Sequence, residues 1–126
     1  VTVPRFGHFA QNGSAVQRFA IKTTLLCLEQ LLPAARARVA QTGGAVKFIG
    51  HQANGLMLDS VIRRAEIPPE HHFHNVLDYG NTGAAGAPSV LSGVWDQLQD
   101  WDSVVLVVVG SGLTWAGMQI DVGGER

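Results

Sequence analysis

Charge is scarce in this chain. Charged residues fill only 15% of its 126 positions and the formal net charge is −1. With a pI near 6.5, no basic field exists to hold nucleic acid or an anionic membrane surface, so neither is expected as a partner. Cysteine is scarcer still. Cys27 stands alone, which excludes an intrachain disulfide and fits a reducing compartment, with the cytoplasm as the default location. Long apolar runs are also missing: stretches such as Val104 to Val109 fall far short of the roughly 20 residues that span a bilayer, and the N-terminus carries no signal-peptide pattern. The chain begins at Val1 rather than methionine, as a processed product, a trimmed chain or an internal piece of a longer protein would. What remains is 46% hydrophobic, the composition of a soluble globular domain. So little charge is compatible with a surface covered by another domain or subunit.

Residues 1–126 fit a single domain by length. Val1 to Gly13, with Pro4, Gly7 and Gly13, reads as an extended arm ending in a turn, and residues 1–12 are assigned no further fold. From Ser14 the apolar positions Val16, Phe19, Ala20, Thr23, Leu26, Cys27 and Leu31 recur at helical spacing, with Pro33 predicted to stop or kink the helix and residues 34–40 to continue it as a second piece. Gly43-Gly44 ends that pattern. Val46 to Gly50 is a predicted strand, Leu56 to Glu66 a helix buried through Leu58, Val61, Ile62 and Ala65, and Phe73 to Leu77 a second strand. Ala84 to Leu98 reads as a helix that tolerates Pro88 in its first turn. The unbroken Val/Leu run from Val104 to Val109 predicts a strand buried on both faces, followed by a last strand from Leu113 to Val122. The expected class is therefore α/β, a mixed sheet covered by helices and closed by an antiparallel element.

In open α/β sheets ligands gather beyond the carboxyl ends of the strands. Three polar tips occupy such positions: His51-Gln52-Ala53-Asn54, Tyr79-Gly80-Asn81-Thr82-Gly83 and Gly110-Ser111-Gly112. A histidine and an asparagine on neighbouring tips can aim two neutral donors at one oxygen, which is the requirement for stabilising an enolate or oxyanion. Taken singly, each is ordinary loop chemistry: His51 a locally bonded loop residue, Asn81 part of a turn. The glycine loop before Ala84 matches neither a Walker loop nor a dinucleotide fingerprint. His71, His72 and His74 beside Glu70 read as a solvated loop rather than a metal site, since alternation sends neighbours to opposite faces. Cys27 sits within an apolar helical run, where a thiol acts as a small buried hydrophobe and not as a nucleophile.

His-Gln-Ala-Asn after a strand, Asp-Tyr-Gly-Asn-Thr-Gly-Ala-Ala-Gly-Ala-Pro some thirty residues later, and Gly-Ser-Gly-Leu-Thr-Trp-Ala-Gly near the end together resemble beta-ketoacyl-acyl-carrier-protein synthase III, of the thiolase superfamily. The resemblance runs from about Gly13 to Val122 and covers the C-terminal half of that family's fold. It implies two similar α/β halves in a layered structure with the active site between them. The nucleophilic cysteine belongs to the N-terminal half and has no counterpart here, so this chain alone is expected to be inactive. The family's C-terminal half also opens with a strand that Val1 to Asn12 does not match.

By this resemblance, an acyl group is loaded on that cysteine, and malonyl-carrier protein loses carbon dioxide to give a carbanion that attacks it. His51 and Asn81 match the two donors to the malonyl thioester oxygen, and the backbone N–H of Ser111 matches a donor to the acyl oxyanion. Arg18, Arg63 and Arg64 match places where basic residues could meet an acidic carrier, whereas Leu56 stands where arginine is common. Ser14 and Gln17 replace a polar contact and a bulkier aromatic along the pantetheine channel. The implied partners are the missing N-terminal half, or an equivalent subunit, and acyl carrier protein or acyl-CoA, with full-length members homodimeric. No cofactor is implied beyond the phosphopantetheine that carries the acyl and malonyl groups on coenzyme A or carrier protein. Two rivals stay open: a non-catalytic half-fold that binds a complementary partner, and a thiolase-fold acyltransferase acting on an amine or alcohol.

Overall fold

The computed structural model describes Thr2, residues 5–8 and residues 10–123. Its longest element is helix α1, Gly13–Thr42, opened by Asn12, whose side chain accepts from Ala15 N, and closed at Gly43, whose N–H reaches Val39 O. Pro33 lies inside α1 without ending it, so residues 34–40 continue the same helix and are not a second piece. Proline at that point leaves the Glu29 carbonyl without its helical donor, and Glu29, Gln30, Pro33 and Ala34 all face solvent, where water can satisfy the freed group. The stripe buried on α1 is Ala20, Thr23, Thr24, Leu28, Leu32 and Ala35. Leu26, expected in that stripe, is exposed.

Strand β1, Val46–Ile49, is followed by helix α2, Gly55–Arg64, which buries Met57, Leu58, Val61 and Ile62. The next strand is shorter than expected. β2 comprises only His72–Phe73, and Val76–Tyr79 forms a four-residue helix, α3, in place of the rest of the predicted strand. The reason is local: the amides of Asn75 and Val76 are taken by the Gln52 side chain and cannot join a ladder. Helix α4, Gly86–Val94, is also shorter than the predicted span, with 3₁₀ turns at Gly83–Ala85 and Trp95–Gln97 on either side. Strands β3, Ser103–Gly110, and β4, Thr114–Asp121, complete the chain. In the N-terminal arm, Thr2 and Ala10 form one antiparallel bridge; Pro4 lies outside the described residues.

The sheet order is β2-β1-β3-β4. β1 pairs in parallel with both β2 and β3, while β4 runs antiparallel to β3. Alternation along β3 divides the core. Val105, Val107 and Val109 join Phe48 under α1 and α2, whereas Val104 and Leu106 join Ile49, Ala87 and Val90 beneath α4. The valine-rich run is thus buried on both faces, because helices cover both. β4, by contrast, is an edge strand whose first five residues are exposed.

Two polar anchors, buried Asp102 and half-buried Arg38, tie the start of β3 to the start of β1 and to the end of β4. Asp102 accepts from Ala45 N at 2.8 Å and from Gln99 N at 3.0 Å. Arg38 of α1 donates to Trp101 O at 2.6 Å and to Val122 O and Gly123 O at 3.3 Å, and its Nε lies 3.5 Å from Asp121 Oδ2. Burial works against ionising Asp121, but hydrogen bonds from Gln119 and Ser103 and the Arg38 charge outweigh it and hold the carboxyl below its usual range. Arg38→Met keeps the apolar stem and removes these donors. It is expected to cost on the order of 2 kcal/mol in urea unfolding, and a loss below about 0.5 kcal/mol would show that the anchor is dispensable.

Candidate functional site

Parallel pairing of β1 with both neighbours brings the carboxyl ends of β1, β2 and β3 to one edge of the sheet. The three polar tips follow those ends. His51, Asn81, Gly110 and Ser111 all line one open cleft of about 1270 Å³, which continues past Val16 and Gln17 of α1 and along the α4 side of β3 and β4. Along that face the floor is apolar, formed by Val108, Ala116 and Met118 opposite Pro88 and Leu91. The sequence gives little warning of this floor, since nothing in the β4 pattern says which face stays uncovered.

His51 is half-buried, and loss of hydration lowers its pKa below the usual 6.5. The imidazole is therefore neutral at pH 7, with one N–H to donate. Asn81 is exposed at its tip, and its Oδ1 accepts from Gly83 N at 3.0 Å. That Asx turn commits the carbonyl end of the side chain to the loop and leaves the Nδ2 group to donate elsewhere. In the third tip Gly112 takes the left-handed backbone, φ 134°, while Ser111 is not among the non-glycine residues at positive φ, which among the described residues are Glu66 and Trp101. A side chain at position 111 is thus tolerated, and Thr114 Oγ1 braces the turn by donating to Ser111 O at 3.1 Å.

The basic residues stand apart from the cleft. Arg18 on α1 and Arg63 and Arg64 in the last turn of α2 are exposed on two helices that pack together, and none lines the cleft. Leu56, in the first turn of α2, is 78% exposed. Cys27 is half-buried against the α1 side of the core, and burial pushes its thiol pKa up, the opposite of an activated nucleophile. Gln17 lines the cleft; Ser14 instead donates to Asn12 Oδ1 at the helix start.

A family model described as 3-oxoacyl-[acyl-carrier-protein (ACP)] synthase III C terminal matches residues 41–122, well over half of the sequence. The chain belongs to this family. It is 37% identical over 117 residues to the beta-ketoacyl-[acyl-carrier-protein] synthase III of Gloeobacter violaceus, an alignment covering 90% of this chain and 34% of that protein. The crystal structure of 3-oxoacyl-(acyl carrier protein) synthase III from Pseudomonas aeruginosa matches with a TM-score of 0.78 at 29% identity, over 100% of this chain and 39% of that one. The corresponding enzyme from Thermus thermophilus gives 0.74 at 30% identity, over 92% and 36%. This synthase III C-terminal chain therefore has the α/β architecture expected of one half of a thiolase-like layered fold, and it spans about a third of the length of its relatives. Among the described residues no helix is long and apolar enough to cross a membrane.

One histidine departs from expectation. His72 is not in a solvated loop: it lies in β2, 8% exposed, stacked on Phe48 at 5.5 Å between ring centroids and 4.9 Å from the His74 ring. Its Nε2 is buried without a partner. Among the described residues no group of three metal-ligating side chains gathers around it. Burial, aided by His74 and opposed by Asp59, lowers its pKa to about 4. The native state thus refuses a proton that an unfolded histidine accepts near pH 6.5, so the stabilising contribution is complete above about 6.5 and is lost as pH falls towards 4. Unfolding free energy is expected to fall by up to about 1.4 kcal/mol per pH unit across that window from this group alone. His72→Phe should flatten the profile, leaving the smaller same-direction contribution of His51; an unchanged slope would contradict the assignment.

Proposed function

We propose that this chain is the C-terminal half of a decarboxylative condensing enzyme, and that His51 and Asn81 act as one donor pair on the thioester oxygen of malonyl-carrier protein. The observation that carries the reading is the opening of all three strand-end tips into one cleft, with a neutral imidazole on one and a carboxamide fixed at its oxygen end on the next. As the malonyl carboxylate departs as carbon dioxide, its bonding electrons pass to the α-carbon and onto the thioester oxygen. Two neutral donors aimed at that oxygen stabilise the enolate without first pairing with the carboxylate. The enolate carbon then attacks the acyl thioester on the cysteine of a complementary half. The backbone N–H of Ser111 donates to the tetrahedral oxyanion, which collapses to the beta-ketoacyl thioester and releases the cysteine thiolate.

The cleft is open along β4 and α4, where Trp115 and Met118 are each about half exposed. An N-terminal half seated there would close it and bring the thiol. We assign carrier docking to Arg18, Arg63 and Arg64, whose exposed guanidinium groups suit an acidic partner, and place the assembled protein in the cytoplasm as a homodimer. Phosphopantetheine, on coenzyme A or carrier protein, delivers both acyl groups through the channel past Gln17.

The test is release of labelled carbon dioxide from malonyl-carrier protein by the protein completed with a cysteine-bearing N-terminal half. His51→Ala and Asn81→Ala are each expected to slow release by about 10²-fold or more. Unchanged rates would remove both residues from the mechanism. A completed wild type that binds its other half and releases no carbon dioxide would instead identify an interaction subunit.

A further inference from the structure

The donor pair sits on two separate loops, and one side chain joins them. Gln52, next to His51, is fully buried. Its Nε2 donates to Gly50 O at 2.8 Å, on its own side of the tip. Its Oε1 accepts from Asn75 N at 2.9 Å and Val76 N at 3.1 Å, on the far side. Those two amides begin α3, and Gly80, the residue before Asn81, caps its end. A helix of four residues has almost no internal hydrogen bonding, so these N–H groups depend on an outside acceptor. Gln52 supplies it.

The same side chain also meets the strand of the loop that leaves Asn81. Gly86 opens α4 so close to Gln52 that a Cβ there would lie 2.8 Å from the Gln52 Cβ, a position only glycine can fill. The loop is then tied across its neck: Asn75 Nδ2 donates to Ser89 Oγ at 2.9 Å, and Ser89 Oγ donates to Gly86 O at 2.7 Å. Gln52 thus stands in the throat of the 75–89 loop, touching the chain that enters and the chain that leaves, with Asn81 at the tip between them.

We propose that Gln52 is the positioning residue that fixes the separation of His51 and Asn81, so that both donors reach one oxygen. This rests on the donor-pair reading above. Two donors acting together require placement to within about 0.5 Å, which an unpinned surface loop does not provide. Gln52 touches no substrate in this scheme; it works through Asn81.

Because it works through Asn81, the deciding experiment is a double-mutant cycle in the completed, cysteine-bearing protein, read as kcat for carbon dioxide release from malonyl-carrier protein. Gln52→Met preserves length and removes all three hydrogen bonds. It is expected to lower kcat by about tenfold or more in the wild-type background with KM within about threefold, and to cost less than about twofold when Asn81 is already alanine. Equal penalties in both backgrounds overturn the proposal, since a merely structural residue would damage both alike. If Gln52→Met fails to fold, Gln52→Glu serves: a protonated carboxyl can make the same three bonds and an ionised one cannot donate to Gly50 O, so its penalty should grow as pH rises, and a pH-independent penalty overturns the proposal. If Asn81→Ala costs its full factor while neither Gln52 variant costs anything, only the positioning role falls. If Asn81→Ala itself costs nothing, the donor pair and the positioning role fall together.

Discussion

Everything at the cleft depends on β1 being an interior parallel strand. Parallel partners on both sides force the ends of β1, β2 and β3 to a common edge, and each strand must then hand its chain to a loop at that edge before crossing back. His51, Asn81 and Ser111 are neighbours for that reason, although 60 positions separate the first from the last. The double burial of β3 follows from the same constraint, because parallel crossovers place helices on both faces. Antiparallel β4 needs no crossover and is left at the edge with one face uncovered.

The two proposed donors are prepared differently. His51 is set by desolvation, which removes the charged form and leaves a neutral N–H. Asn81 is set by an internal hydrogen bond that occupies its oxygen and fixes which end of the carboxamide is free. Both lack a positive charge, which suits the proposed decarboxylation: a cation would bind the ground-state carboxylate as well as the enolate and so give less selective stabilisation. Gln52 links the two arrangements through the protein interior.

Much of this was legible in the residues. The Val/Leu run of β3, the helical spacing of α1 and α2, and the three tips each carried a local signal that survived folding, and the spacing of the tips carried the family resemblance. The misreadings arise where a residue's setting in the fold overrode local pattern. Residues 74–77 look like strand, yet Gln52 takes the amides a strand would use. Pro33 looks like a helix stop, yet it lies on the solvent side of α1, where the lost bond costs little. His72 looks like part of a polar loop, yet the short β2 carries it beneath Phe48. Nothing local to Gln52 indicates its reach, since a glutamine beside a histidine is equally at home in solvent.

The central claim is that His51 and Asn81 address a single oxygen. A crystal structure of the completed protein with a malonyl thioester analogue that cannot lose carbon dioxide tests it most directly. The account predicts the thioester oxygen within about 3 Å of both an imidazole nitrogen of His51 and Nδ2 of Asn81. An oxygen held by one of them while the other lies beyond about 3.5 Å, with no water between, would contradict it.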